Sequence, residues 1–346
     1  MSPPPGHDSG HESPQPISAE IPAGYTWADF IEALVAAEGS LTAVAQKLFA
    51  RGTETDDVNS VERALRRLRS RGQRDGGVWG QRVLRTFGIP QSVEARLRWM
   101  GLYHSPFNDL PVGLCLDLLR VWDRPPVSES RARVYLQLGF ASASLRLRQF
   151  TAARAHLAAA RGGLATFKEG AALVEQALSL AYLESREARD KVPGLLEEAE
   201  QALAAAELDA AERACFEARL VDQRAFVDNK QCTREGHERA LARYQALSNA
   251  DLHPFASYRR EAGLAYGMYA LGDRGAALRH AQAAVRHAGD GGFVRLRVMG
   301  LLLEARILGG EGKQSLERAH AIALRLGDEE LLSRVERAQA PAAQAD

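Results

Sequence analysis

The chain has 346 residues, 46% of them apolar and 25% charged, with 44 lysines and arginines balanced by 44 aspartates and glutamates. That length suits two domains, and the composition is that of an ordinary soluble globular chain, which excludes wholesale disorder. Zero formal charge excludes a whole-surface polyanion binder. No run approaches the ~18 consecutive apolar residues of a membrane span. The first 25 residues lack the basic start and apolar centre of a secretory signal, so no membrane partner is expected and the cytoplasm is the expected location. Cys115, Cys215 and Cys232 are too few and too far apart for a disulfide framework or a zinc site.

Six of the 14 prolines fall in the first 22 residues, so 1–24 reads as a disordered tail that cannot bury enough apolar surface to offset its ordering entropy. Residues 25–88 read as a small helical domain. Its helices are predicted over 26–37, over 41–50 behind Ser40 as N-cap, and over 58–70, the last two closing at Arg-Gly. After Asp75-Gly76-Gly77, the stretch Val78-Trp79 and residues 81–84 predict a short hairpin over 74–84. Residues 89–126 read as a helical linker, with helices over 91–104 and 110–122, ending at Asp123-Arg124-Pro125-Pro126. All four tryptophans precede that point, and between Val127 and Ala340 only Pro193 and Pro254 occur. Helix interiors exclude proline at about 3 kcal/mol each. With apolar residues recurring at i, i+3, i+4 and i+7, residues 127–340 predict five helix pairs: 129–163, 169–206, 210–248, 256–289 and 293–326. A charged final helix, Glu329–Gln339, follows as a cap.

Neutral total charge hides an asymmetry. Residues 61–100 hold ten arginines against three acids, a net of +7, whereas residues 1–60 carry a net of −7. Arg63, Arg66 and Arg67 share one face of the third helix, and with Arg74 they are the candidate contacts to phosphates or base edges of double-stranded DNA. The other reading of the block is pairing with the acidic half, with the repeats or with a partner protein.

The unit Leu264-Ala265-Tyr266-Gly267-Met268-Tyr269-Ala270-Leu271-Gly272-Asp273, followed by Ala276-Ala277-Leu278-Arg279-His280-Ala281 and Ala284, resembles the tetratricopeptide repeat (TPR). Ala265, Ala277 and Ala284 match the family's three small positions, as do Ala141, Ala153 and Ala160, with Phe150 at the turn-side aromatic position. Leu41-Thr42-Ala43-Val44-Ala45-Gln46-Lys47-Leu48 resembles the scaffold helix of a winged helix-turn-helix, Ser60-Val61-Glu62-Arg63-Ala64-Leu65-Arg66-Arg67-Leu68 its recognition helix, and 74–84 its wing. The fold class these resemblances imply is all-α: a right-handed α-solenoid of TPR-like helix pairs behind a small helix-turn-helix-like domain. Each pair alone cannot bury its apolar stripe, so neighbours stack. The combination resembles the peptide-sensing transcription regulators of bacterial quorum systems, which implies a DNA-binding head gated by a ligand-binding array. In the repeat register Arg259, Tyr266 and Tyr269, together with Arg219 and Gln223, line the inner face and hold an extended peptide or protein segment. The alternative for these five side chains is a polar coat on that face.

Gly309-Gly310-Glu311-Gly312-Lys313-Gln314 lacks the Ser/Thr and the spacing of a phosphate loop and reads as the turn of the fifth pair. His280 and His287 have no third ligand near them in sequence. Cys215 and Cys232 read as a reduced, buried pair. No nucleophile elbow or metalloprotease motif occurs. Neither enzyme, metal nor cofactor is therefore expected. Two functional readings stay open: a regulator joining array ligand to DNA, for which a homodimer is compatible, and an interaction adaptor without DNA binding.

Overall fold

A computed structural model describes residues 24–51 and 57–340; the tail read over 1–24, apart from Gly24, and residues 52–56 lie outside the described residues. The described residues are helical throughout, with no strand among them.

Local signals set the first three helices. Helix α1 (Trp27–Glu38) starts where the Thr26 hydroxyl accepts the Asp29 N–H and the Asp29 carboxylate accepts the Thr26 N–H, a reciprocal capping box. It stops at Gly39, whose φ of +88° favours glycine. Helix α2 (Leu41–Phe49) starts under the Ser40 hydroxyl and α3 (Val58–Arg69) under the Asp57 carboxylate. Their apolar stripes meet in one cluster around Trp27, Phe30, Ile31, Val44, Leu48, Val61, Leu65 and Leu68.

The predicted hairpin is not formed. Residues Gly77–Phe87 make helix α4, so the wing is absent and a fourth helix stands in its place. The reason lies in Trp27. Gly80 and Val83 are buried one turn apart on α4, and a Cβ on Gly80 would lie 2.8 Å from the Trp27 ring. Gly76 and Gly80 let the indole lie against the start of the helix, while Gly77 takes the positive φ of +59° at the bend. The indole N–H then donates to the Arg74 carbonyl at 2.9 Å.

Helices α5 (Gln91–Gly101) and α6 (Val112–Trp122) flank the non-α stretch 102–111. They share one core with the array: Val93, Leu97, Met100, Phe107, Cys115 and Leu119 cluster with Tyr135, Leu138, Val174 and Leu178. The four-helix head rests on this layer. Tyr25 stacks on Trp122 with centroids 6.4 Å apart, and Glu129 accepts the Gly76 N–H at 3.0 Å.

The five pairs follow: α7 (Arg133–Arg146) with α8 (Phe150–Leu164), α9 (Gly170–Glu187) with α10 (Val192–Ala205), α11 (Ala210–Asn229) with α12 (Arg234–Gln245), α13 (Pro254–Ala270) with α14 (Arg274–Asp290), and α15 (Val294–Leu308) with α16 (Lys313–Leu326). Helix α17 (Glu329–Gln339) ends the described chain. Ala141, Ala153, Ala160, Ala265, Ala277 and Ala284 are all fully buried. The first helices of the pairs touch in succession, α7 to α9, α11, α13 and α15, then α17, and α17 returns to α7. The array is a closed ring of six inner helices.

The closure is ionic and dry. The Asp328 carboxylate accepts from Arg146 Nε at 3.0 Å and Arg295 Nε at 2.7 Å, with Arg146 and Asp328 2% and 0% exposed. Around it Arg186 and Arg334 converge on Glu330, and Arg334 reaches the Tyr182 hydroxyl.

Two outcomes test this packing. Gly80→Ala should lower stability by about 1–3 kcal/mol in thermal unfolding, because the methyl meets an immobile ring; an unchanged midpoint would place α4 elsewhere. Asp328→Ala strips the shared partner from two buried guanidinium groups and should cost about 3–5 kcal/mol, read by denaturant unfolding.

Candidate functional site

Helix α3 is strongly two-faced. Val61, Ala64, Leu65 and Leu68 are buried against α1 and α2, while Arg63, Arg66 and Arg67 are exposed on the opposite side. The three are brought together as the sequence predicts. Arg63 donates to the Ser60 hydroxyl at 3.1 Å, and Ser60 is itself fixed by Asp57. Arg66 pairs with Glu62, and Arg69 reaches back to Glu32 on α1. Arg67 and Arg74 are exposed and have no side-chain partner among the described residues. Arg74 sits in the bend before α4, below the end of α3, and its position owes nothing to a wing. Arg82 lies over Trp79 at 4.9 Å.

The second candidate region is the interior of the ring, and there the chain is already in contact with itself. Segment 102–110 runs through it. The Tyr103 N–H donates to Glu175 Oε2 at 3.0 Å. The guanidinium carbons of Arg219, Arg295 and Arg259 stand 4.7, 5.7 and 5.8 Å from the centre of the Tyr103 ring. Burial would raise the Tyr103 hydroxyl, but Arg295, Arg259 and Arg219 outweigh it and hold it below its ordinary range. His104 sits edge-on to Phe216 and Phe255, and burial first, then Arg219, keeps it neutral by pushing its pKa well down. Asn108 accepts the Ser142 hydroxyl at 2.6 Å, and Asp109 accepts the Arg295 N–H at 2.7 Å. Burial pushes the Asp109 carboxyl up to about 6, against the pull of Arg295 and Arg146.

Of the five residues expected to hold a peptide, Arg219 is buried in a two-pronged pair with Glu175. Arg259 is buried between Asp222 and the Tyr103 hydroxyl. Gln223 donates to the Leu178 carbonyl at 3.0 Å and leaves its Oε1 buried without a partner among the described residues. Tyr266 and Tyr269 stay partly exposed under the Arg306 guanidinium, 5.5 Å from each ring. Arg219 and Arg259 are thus brought together around Tyr103, Gln223 bridges to α9 instead, and the two tyrosines form a separate patch.

Sequence reasoning missed Tyr103, Asp109, Glu175, Arg295 and Asp328. No spacing marked them; the one available signal was the aromatic density of Trp99, Tyr103 and Phe107 in what read as a linker. The expected Cys215–Cys232 pair is also corrected: Cys215 is buried, its thiol pushed up to about 12, whereas Cys232 is exposed in the turn before α12. A cleft of about 360 Å3 opens at the start of α7, lined by Glu129, Arg131, Arg133, Gln137 and Thr166. Arg133 there is already paired with Asp123, and Glu129 accepts the Gly76 N–H with one oxygen while its Oε2 is buried without a partner among the described residues. No described helix is long and apolar enough to cross a membrane. No family model matches the chain, and neither a curated protein nor a solved structure matches it significantly.

Asp109 gives the interior a pH dependence. Its folded-state pKa of about 6 exceeds the ordinary 3.8, so folding favours the protonated acid. The contribution is complete below about pH 4 and lost as pH rises through about 6. An amide in its place cannot titrate, so the stability of Asp109→Asn relative to the wild type should rise by on the order of 1–3 kcal/mol between pH 4 and pH 7. Thermal unfolding across that range checks it; a constant difference would contradict the burial argument.

Proposed function

We propose that the chain is a non-enzymatic regulator whose head binds duplex DNA through α3 and whose helical array, an α-solenoid of TPR-like pairs, binds a peptide or protein segment. The observation that carries the DNA half is the α3 face itself. An amphipathic helix buries its apolar stripe in a small helical head and turns Arg63, Arg66 and Arg67 outward within one turn of each other. Arg74 lies just beyond. Without a wing, groove contact rests on α3 and this flanking bend, as in helix-turn-helix domains that enter the major groove with one helix.

The array half is supported by the paired helices and their buried alanines, and by Arg219 and Arg259 turned toward the interior. The adaptor reading draws on a different observation: Arg66 and Arg69 are matched by Glu62 and Glu32, which lowers the field of the block.

Binding to random duplex DNA as a function of salt separates the two. The regulator should bind at low salt with a steep negative slope. Removing Arg63, Arg66 and Arg67 together, each →Ala, should weaken binding at least tenfold and reduce the slope by about three, one per phosphate contact. A wild-type chain that binds no DNA even at low salt leaves the adaptor.

A further inference from the structure

The interior of the ring treats segment 102–110 as a receptor treats a ligand. Contacts come from five different inner helices, each supplying side chains: Ser142 and Arg146 from α7, Glu175 from α9, Phe216 and Arg219 from α11, Phe255 and Arg259 from α13, Arg295 from α15. They grip the two ends of the segment differently. At Tyr103, one carboxylate takes the main-chain N–H and three arginines surround the ring. At the other end, the Asp109 carboxylate meets the first turn of α15, and Arg146 donates to the Leu110 carbonyl at 2.8 Å.

The fit is also incomplete. His104 Nδ1 in the segment and Arg259 Nε beside it are buried with no partner among the described residues. Buried polar groups are nearly always paired, and a segment shaped only as permanent filling would be expected to satisfy them. Tyr103 itself remains partly exposed.

We infer that the inner face of the ring is a peptide-binding surface whose occupant is the chain's own segment 102–110. The ligand class it takes in trans is a peptide presenting a tyrosine followed six residues later by an aspartate. This rests on reading the array as a peptide-binding module, and it adds that the site is filled in cis. A cis occupant lowers apparent affinity for any outside peptide by the fraction of time the seat is closed.

The test uses the full chain and a fluorescent synthetic peptide spanning residues 99–111. The wild type should bind it poorly, and Tyr103→Ala, which vacates the cage, should bind at least tenfold more tightly. The same peptide with alanine at the tyrosine position should not bind. A Tyr103→Ala chain that keeps its helical circular dichroism yet shows no gain, or that binds both peptides alike, overturns the inference. If that variant loses its helicity, hydrogen exchange of the wild type decides. A seated ligand opens locally, so the Tyr103 and Leu110 amides should exchange about 100-fold faster than the middle of α13; equal rates mean ordinary core and overturn the proposal. Duplex DNA takes no part in either measurement, so a head that fails to bind DNA leaves this result standing, and a failure here leaves the DNA reading untouched.

Discussion

The Asp328 carboxylate joins the two ends of the array, and the rest of the architecture depends on it. It is held by Arg146, 182 residues upstream, and by Arg295, while its other oxygen accepts the Leu331 N–H and starts α17. Burial works against its charge, but Arg295 and Arg146 outweigh this and keep the carboxyl below the ordinary range. A buried ionic triad is a weak source of net stability, because desolvation offsets most of the attraction. Its effect here is geometric. Three groups that cannot tolerate being left alone in a dry site meet only if the first and last helices of the array come together.

A closed ring has an interior, and that interior must be filled. The inner-face charges are paired with one another, Arg219 with Glu175, Arg259 with Asp222 and Arg295 with Asp328, but such buried pairs need further hydrogen bonds for the atoms the pairing leaves over. The segment between α5 and α6 supplies what they need: main-chain groups, an aromatic ring and one carboxylate. Arg98 adds a further bridge, donating to Glu169 and Glu212 on two neighbouring inner helices. The arginines that face outward on α3 stand apart from that pattern: Arg63 and Arg66 have only local partners, and Arg67 has none among the described residues.

The helices were largely legible in the amino-acid sequence. Periodicity located the five pairs to within a few residues, and the alanines chosen as crossing points are all buried, because a small residue at a crossing is a constraint local to two helices. The hairpin was misread for an equally local reason. Gly-Gly before Val-Trp-Gly-Gln has the composition of a turn and a strand, and nothing within those residues reveals that Gly76 and Gly80 make room for the Trp27 ring about 50 positions earlier. The candidate peptide residues fared unevenly. Arg219 and Arg259 do lie around one internal segment, but that segment is 102–110 of the same chain, which has no periodicity to read.

Apart from α4, the helix positions, the Ser40 cap of α2 and the outward arginine face of α3 were legible in the sequence alone, since each depends on residues three or four apart. Only the tertiary structure decided that the array closes, that the supposed linker lies inside it, and which inward arginines are engaged. Closure sums small rotations over five helix pairs, and no single pair encodes the total. The seat of Tyr103 exists only after that sum is made, when side chains from α9, α11, α13 and α15 arrive around one ring.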